Sequence, residues 1–474
     1  MKDNTRREFL LQSGSALIAA GGCAHIAPSA PPSIKEPYMR PPNFVVFLTD
    51  DQGYGDLGCM GATDLKTPNL DALAASGARF TDWYSNSPVC SPSRAALLTG
   101  RYPGHAGVRS ILAGHRTAPG LSPKVPTLAA ALKPLGYQTG MFGKWHLGAE
   151  ESFRPHHHGF DEWFGFLAGC IDYYSHIFYW GMAGGKEDPV HDLWENNREI
   201  FADGRYFTEM IAERAVGYVQ RAAAKPEPFF LYVPFNAPHY PMHAPQKYLD
   251  RFPNLPPERR IMAAMISAVD DAVGAVVEEL KRQGVYENTC IFFMSDNGPS
   301  RETRNWLDNT RTPYYGGTPG PFKGHKFSLY EGGIRVPGLM SWPACIPAGQ
   351  MVSEPAAAMD IFPTFLKAAG GDVNNYAVDG FDILPMLTQG ARSPHEAIFW
   401  EQGNQTAVRK GNWKLVLKGQ LVEEAPPEDA VHLSNLKTDP GERINLKDRY
   451  PEITSAMKAE AERWRARIDA KKPE

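Results

Sequence analysis

The stretch Cys90-Ser91-Pro92-Ser93-Arg94, running on into Ala95-Ala96-Leu97-Leu98-Thr99-Gly100-Arg101, puts a thiol, hydroxyls and a guanidinium close together. Gly100 stops the run, so residues 93–99 are expected as a short helix entered from a Pro-containing turn. Cys90 then sits at the helix N-terminus, where free N–H groups and the positive end of the dipole suit an anion. Arg94, about one turn in, reaches the same spot with a planar fork of donors. Most free cysteines are instead buried structural thiols, and the helix position alone does not decide between the two readings.

Further reactive side chains follow apolar runs. Asn43–Thr49 ends in Asp50-Asp51-Gln52-Gly53. Adjacent carboxylates repel unless a cation lies between them, and a hard divalent ion is the economical partner. A lone Asp-Asp-x-Gly is nevertheless more often a solvated turn. Gly143-Lys144-Trp145-His146-Leu147-Gly148 closes another run, and alternation puts Lys144 and His146 on one face with Trp145 on the other. A cation and a titratable imidazole there suit oxyanion binding and proton transfer. Residues 229–235 lead into Asn236-Ala237-Pro238-His239-Tyr240-Pro241, where two prolines stiffen the loop around His239. Residues 289–294 lead into Ser295-Asp296-Asn297-Gly298, and Lys326 opens the stretch Lys326-Phe327-Ser328-Leu329-Tyr330-Glu331-Gly332-Gly333-Ile334-Arg335-Val336-Pro337.

In chain order, the Asp-Asp pair, C-S-P-S-R with L-L-T-G-R behind it, G-K-W-H-L-G, A-P-H-Y-P, S-D-N-G and K-x-x-x-Y-E-G-G-x-R-x-P resemble the type I sulfatases of the alkaline-phosphatase superfamily. The resemblance spans residues 43–445. It implies an α/β fold, a large mixed sheet sandwiched by helices, with a smaller C-terminal α+β domain. It implies that a formylglycine-generating enzyme matures Cys90 to formylglycine, whose hydrate attacks sulfur. It also implies one Ca2+ or Mg2+ held by Asp50, Asp51, Asp296, Asn297 and residue 90. Three carboxylates and an amide make an all-oxygen site, which disfavours zinc. Arg94, Lys144 and Lys326 would neutralise charge as sulfur becomes five-coordinate. Asp296 would take the nucleophile's proton, His239 or Lys326 would protonate the leaving alcohol, and His146 would strip the second hydroxyl to expel sulfate. The implied substrate is a sulfate ester, with a sulfated saccharide expected and aryl sulfates left open. Two rival readings are a phosphomonoester or phosphodiester hydrolase on the same site and a non-catalytic surface sugar-binding relative.

Some polar stretches have weaker claims. Lys323 and His325 match no family position. Pro155-His156-His157-His158-Gly159-Phe160-Asp161 is read as structure, because three adjacent histidines do not easily turn to one ion. Asp172, Tyr173, Tyr174 and His176 either line a substrate pocket, with rings stacking on a sugar, or form a packed loop.

Placing these residues together requires a buried parallel sheet, and the continuous apolar runs at 43–49, 229–235 and 289–294 fit one. Ligands in such sheets collect at the carboxyl ends of strands. Helices are expected from Pro68 to Gly77, over 127–135, over 205–224, and over 261–282 with one apolar face. After residues 362–369 the pattern changes to antiparallel strands, turned at Lys410-Gly411-Asn412, and a last helix facing inward through Ile453, Met457, Trp464 and Ile468. The expected division is a catalytic domain over 43–385 and a small domain over 386–474.

The chain's 49 Lys+Arg against 53 Asp+Glu leave a net charge of −4, which argues against a nucleic-acid partner. Six cysteines in 474 residues make no disulfide framework, and Cys290 reads as core. Residues 1–24 read as an export signal: Arg6-Arg7 followed by Phe9-Leu10 resembles a twin-arginine signal. Ala20-Gly21-Gly22-Cys23 resembles a lipoprotein box with Ala20 where Leu is usual, so a lipid on Cys23 and cleavage to a soluble form are both open. Residues 25–42 read as a Pro-rich tether. The expected location is periplasmic or at the cell surface, with membrane contact only through a lipid on Cys23.

Overall fold

The computed structural model describes residues 41–179, 189–301 and 315–470. The expected export signal, Cys23 and most of the tether lie outside these residues. Among the described residues no helix is long and apolar enough to cross a membrane, and Cys59, Cys90, Cys170, Cys290 and Cys345 form no disulfide.

Strands β1 (Asn43–Thr49), β2 (Ala78–Phe80), β3 (Gln138–Lys144), β4 (Glu162–Phe166), β5 (Trp194–Glu195), β6 (Arg198–Glu199), β7 (Phe229–Pro234), β8 (Thr289–Ser295), β9 (Gly338–Ser341) and β10 (Gln350–Val352) form one sheet. Its order is β10-β2-β9-β8-β1-β7-β3-β4-β5-β6. The middle, from β8 to β4, is parallel, and antiparallel pairs flank it on both sides. Strand β1 is buried throughout and apolar over residues 44–48, because both faces are covered. Phe44, Val46 and Leu48 join the core under helices α2 (Cys90–Thr99) and α5 (Ile361–Ala368). Val45 and Phe47 pack on the other face with α1 (Pro68–Ala75), α3 (Phe207–Ala223) and α4 (Pro257–Arg282).

Helix boundaries depart from the sequence expectation at the N-termini. Helix α2 starts at Cys90 rather than Ser93, because Pro92 falls in the first turn, where a missing N–H costs no helical bond. Helix α4 starts at Pro257 rather than Ile261: its first turn is largely solvent-facing and carries no apolar periodicity to mark it.

Strands β11 (Ile398–Gln402), β12 (Gln405–Lys410), β13 (Trp413–Gly419) and β14 (Asp429–Asn435) pair antiparallel in chain order. Helix α6 (Pro451–Ala470) covers them with Met457, Ala461, Trp464 and Ile468, and Trp464 stacks on Phe399 at 5.2 Å between centroids. Buried charge fastens this sheet to the segment that follows Lys326. Lys414 Nζ lies 2.8 Å from Glu331 and 3.3 Å from Glu442, with no exposed surface on any of the three. Glu331 also accepts from Tyr84 Oη at 2.7 Å and pairs with Arg335 at 3.1 Å. Gly332 and Gly333 are required there, since a Cβ on either would lie 2.1 Å from a carbonyl oxygen, of Gly324 and Ser328 respectively.

Candidate active site

The run of neighbours β8-β1-β7-β3 lines up the carboxyl ends from which the polar stretches leave. Strands β1 and β8 pair Thr49 with Ser295, so Asp50-Asp51 and Asp296-Asn297 emerge side by side. The Asp51 N–H donates to Asp296 Oδ1 at 3.2 Å, and Asn297 Nδ2 donates to Asp51 Oδ1 at 2.7 Å. Helix α2 aims its N-terminus at the same place, with Cys90 Sγ 3.5 Å from Asp50 Oδ1. Its N-cap residue, Val89, has no side-chain acceptor to cover the first-turn N–H groups.

Cations interleave with the acids. Arg94 spends its fork on Asp296 Oδ2, from Nε at 3.1 Å and an NH2 group at 2.7 Å, and donates to the Lys144 carbonyl at 3.2 Å. Lys144 Nζ meets Asp50 Oδ2 at 2.6 Å. Lys326 Nζ meets Asp51 Oδ2 at 2.8 Å and lies 3.2 Å from His239 Nε2. The acids Asp50, Asp51 and Asp296 thus pair with the side chains of Lys144, Lys326 and Arg94, so the cationic groups spend their hydrogen bonds inside the cluster. Asn297 Oδ1 is buried with no hydrogen-bond partner among the described residues. Asp50, Asp51, Cys90 and His239 each bring one ligand-capable atom within 4.8 Å of the others. An acidic, oxygen-rich cluster with an orphaned amide oxygen fits a hard divalent cation.

The protonation states are uneven. Burial and the neighbouring Asp50 push the Asp296 carboxyl up to about 7, against Arg94 and Lys144. Burial acts the same way on Asp51, but the charges of Lys326 and His239, with hydrogen bonds from Lys326 and Asn297, outweigh it and bring that carboxyl down to about 2. Burial pushes the Cys90 thiol far up despite Lys144 and Lys326. Burial, with Lys144 and Arg94, holds the His146 imidazole well below its usual range. His146 bonds the Leu112 carbonyl through Nε2 at 3.2 Å and keeps Nδ1 buried without a partner among the described residues. The expected alternation does not extend to it: β3 ends at Lys144, and His146 turns out of the pleat with a φ of 54°. Gly169 lies against the ring, where a Cβ would come within 2.8 Å of Cε1 and Nε2.

Exposure rises from 0% at Asp50, Arg94 and Lys144 to 6% at His239 and Lys326, so the approach from solvent is on the side of the last two. The packed-loop alternative describes Tyr173 and His176, which are fully buried. The Tyr173 hydroxyl donates to the carbonyls of Asn236 (2.8 Å) and His239 (3.0 Å), bracing the His239 loop. His176 bonds the Arg205 carbonyl through Nε2. Asp172 accepts from the N–H groups of Tyr174 and Ser175 and lies 3.3 Å from His243, and Tyr174 is half-buried beside Tyr206 and His243. Lys323 pairs with Glu428. His156 and His157 both rest on Glu151 Oε1, while His158 turns inward onto Trp145.

Sequence reasoning did not single out the Leu112 carbonyl, Gly169 or Asn236. Asn236 is buried with neither side-chain polar atom partnered among the described residues, and its sequence signal is its place at the head of the His239 loop.

A family model described as Sulfatase matches residues 42–371, and one described as N-sulphoglucosamine sulphohydrolase, C-terminal, matches residues 322–467. The chain is 36% identical over 394 residues to N-acetylgalactosamine-6-sulfatase of Sus scrofa, covering 79% of this chain and 71% of that protein. It is 33% identical over 468 residues to arylsulfatase A of Homo sapiens, covering 91% and 89%. The crystal structure of Ps i-CgsB in complex with k-i-k-neocarrahexaose matches with a TM-score of 0.79 and 35% identity, over 90% of this chain and 93% of that one.

Proposed function

The chain belongs to the sulfatase family of the alkaline-phosphatase superfamily and is a sulfuric ester hydrolase; from that premise we propose that it releases inorganic sulfate from sulfated carbohydrates, using a formylglycine at position 90. The carbohydrate reading draws support from relatives, one named N-acetylgalactosamine-6-sulfatase and one solved with k-i-k-neocarrahexaose.

The observation that carries the catalytic reading is the burial of Cys90 among acids and cations with its thiol pushed far up. A thiol held neutral is a poor nucleophile. Matured to formylglycine, residue 90 supplies a hydrate oxygen as nucleophile instead. Asp50, Asp51, Asp296 and Asn297 would hold one Ca2+ or Mg2+, which when bound adds the positive charge that polarises a sulfate oxygen. Lys144 and Lys326 flank the acids and face charge developing on the sulfate oxygens. Arg94 orients Asp296, whose raised carboxyl is suited to accept the nucleophile's proton. His239 Nε2 or Lys326 Nζ, on the more exposed side, passes a proton to the departing ester oxygen. His146, neutral and with Nδ1 unpartnered, accepts the proton released as sulfate is expelled. We also propose export to the periplasm or cell surface, on the strength of Arg6-Arg7 and the apolar stretch after them.

The test is a panel of saccharide sulfates set against the phosphate esters of the same sugars, with purified full-length protein. Sulfate release from at least one saccharide, well above hydrolysis of its phosphate analogue, is expected. Faster phosphate release would favour the phosphoesterase reading, and turnover of aryl sulfates alone would remove the carbohydrate assignment.

A further inference from the structure

We propose that His176, His191 and Asp203 form a second metal site, for a borderline ion such as Zn2+, separate from the acid cluster and independent of the substrate reading. Each offers one ligand-capable atom, and the set lies within 4.8 Å of one another. A neutral imidazole carries one N–H and one lone pair. His176 Nε2 is 3.1 Å from the Arg205 carbonyl, and His191 Nδ1 is 3.0 Å from Glu199 Oε1. Those partners are acceptors, so the protons belong on these nitrogens and the lone pairs on His176 Nδ1 and His191 Nε2. Both of these remaining nitrogens are buried without a hydrogen-bond partner among the described residues. His176 itself has 0% exposure.

Two imidazole lone pairs and a carboxylate gathered in one place are all acceptors, and their common partner is a cation. Two nitrogens and one oxygen select zinc or a similar ion over Ca2+ or Mg2+ and leave a fourth position for water. The outer partners are those that ligating imidazoles take, a backbone carbonyl and a carboxylate. Glu199 is itself held by Arg116 at 2.5 Å.

The site would tie two segments that brace the catalytic loop. His176 ends the turn containing Tyr173, whose hydroxyl holds the carbonyls of Asn236 and His239. His191 pairs across from Ile177, and Asp203 precedes Gly204, whose N–H donates to the Tyr174 carbonyl.

The test uses chelator-stripped, full-length protein without a polyhistidine tag, titrated with Co2+ and then Zn2+. One Co2+ per chain with nitrogen-ligand visible absorption, displaced by Zn2+, is expected. His191→Ala and Asp203→Asn should each abolish that spectrum, with circular dichroism confirming the fold. Glu199→Gln should weaken binding by about 10–100-fold, and Asp296→Ala should leave the spectrum intact. No Co2+ spectrum in the unaltered protein would overturn the proposal. So would a spectrum that survives His191→Ala and Asp203→Asn, or one lost instead in His156→Gln/His157→Gln or in Asp296→Ala.

Discussion

Replacing His239 with alanine separates proton donation from sulfate binding. His239 Nε2 lies 3.2 Å from Lys326 Nζ and 3.6 Å from Asp51 Oδ2, on the side of the site nearest solvent. A positioned general acid is worth about 10²–10⁴-fold, which is about 2.7–5.4 kcal/mol of barrier. Lys326 stands close enough to substitute in part, so the expected loss for His239→Ala in kcat/KM on a sugar sulfate is near the lower end, ~10²-fold. The lysine is a poorer probe. Its ammonium sits 2.8 Å from Asp51, a gross attraction of about 6 kcal/mol at an effective dielectric of ~20, so its removal unbalances the acid cluster as well as the proton supply. An aryl sulfate with strongly withdrawing substituents departs as its anion and needs little help. The assay is therefore kcat/KM of His239→Ala on a sugar sulfate and on an activated aryl sulfate. A loss confined to the sugar ester is predicted. Equal losses on both would refute the assignment and make His239 a sulfate-binding group, with Lys326 as the acid.

Asp296→Ala should abolish both Ca2+ or Mg2+ binding and turnover while the fold persists; calorimetry and circular dichroism check this, and full activity after exhaustive chelation would contradict it. Lys414→Met leaves Glu331 and Glu442 buried without their shared cation, and breaking such a contact costs about 3–5 kcal/mol. Urea unfolding should show a clearly lower midpoint, and an unchanged midpoint would contradict the role given to this network. Because burial and two cations hold His146 well below 6.5, its active neutral form persists as pH falls through 6.5 and is lost only at more acidic pH. A limb in kcat near pH 6.5–7 that disappears in His146→Gln would contradict that placement.

Much of this arrangement is legible in the sequence because its signals are local. Residues 44–48 and 290–294 are continuously apolar and are followed by acids, which marks buried strands with polar groups at their carboxyl ends. The rest depends on contacts that leave no local mark. Pro92 reads as a turn residue until the helix is seen to tolerate it in its first turn. The left-handed turn at His146 breaks an alternation that Lys144 and Trp145 obey. Tyr173 reads as a ring available for stacking, yet its hydroxyl is spent on two carbonyls more than sixty residues away. The Leu112 carbonyl that orients His146 belongs to the backbone, and residue type cannot announce it. Lys414 and Glu331 are likewise ordinary surface-type residues until the fold buries them together.

The most direct test of the central claim is the mass of the peptide spanning residue 90, taken from active protein and compared with its specific activity. Formylglycine at position 90, in a fraction that rises and falls with sulfatase activity across preparations, is predicted. Full sulfatase turnover from protein that carries only an unmodified Cys90 thiol would contradict it.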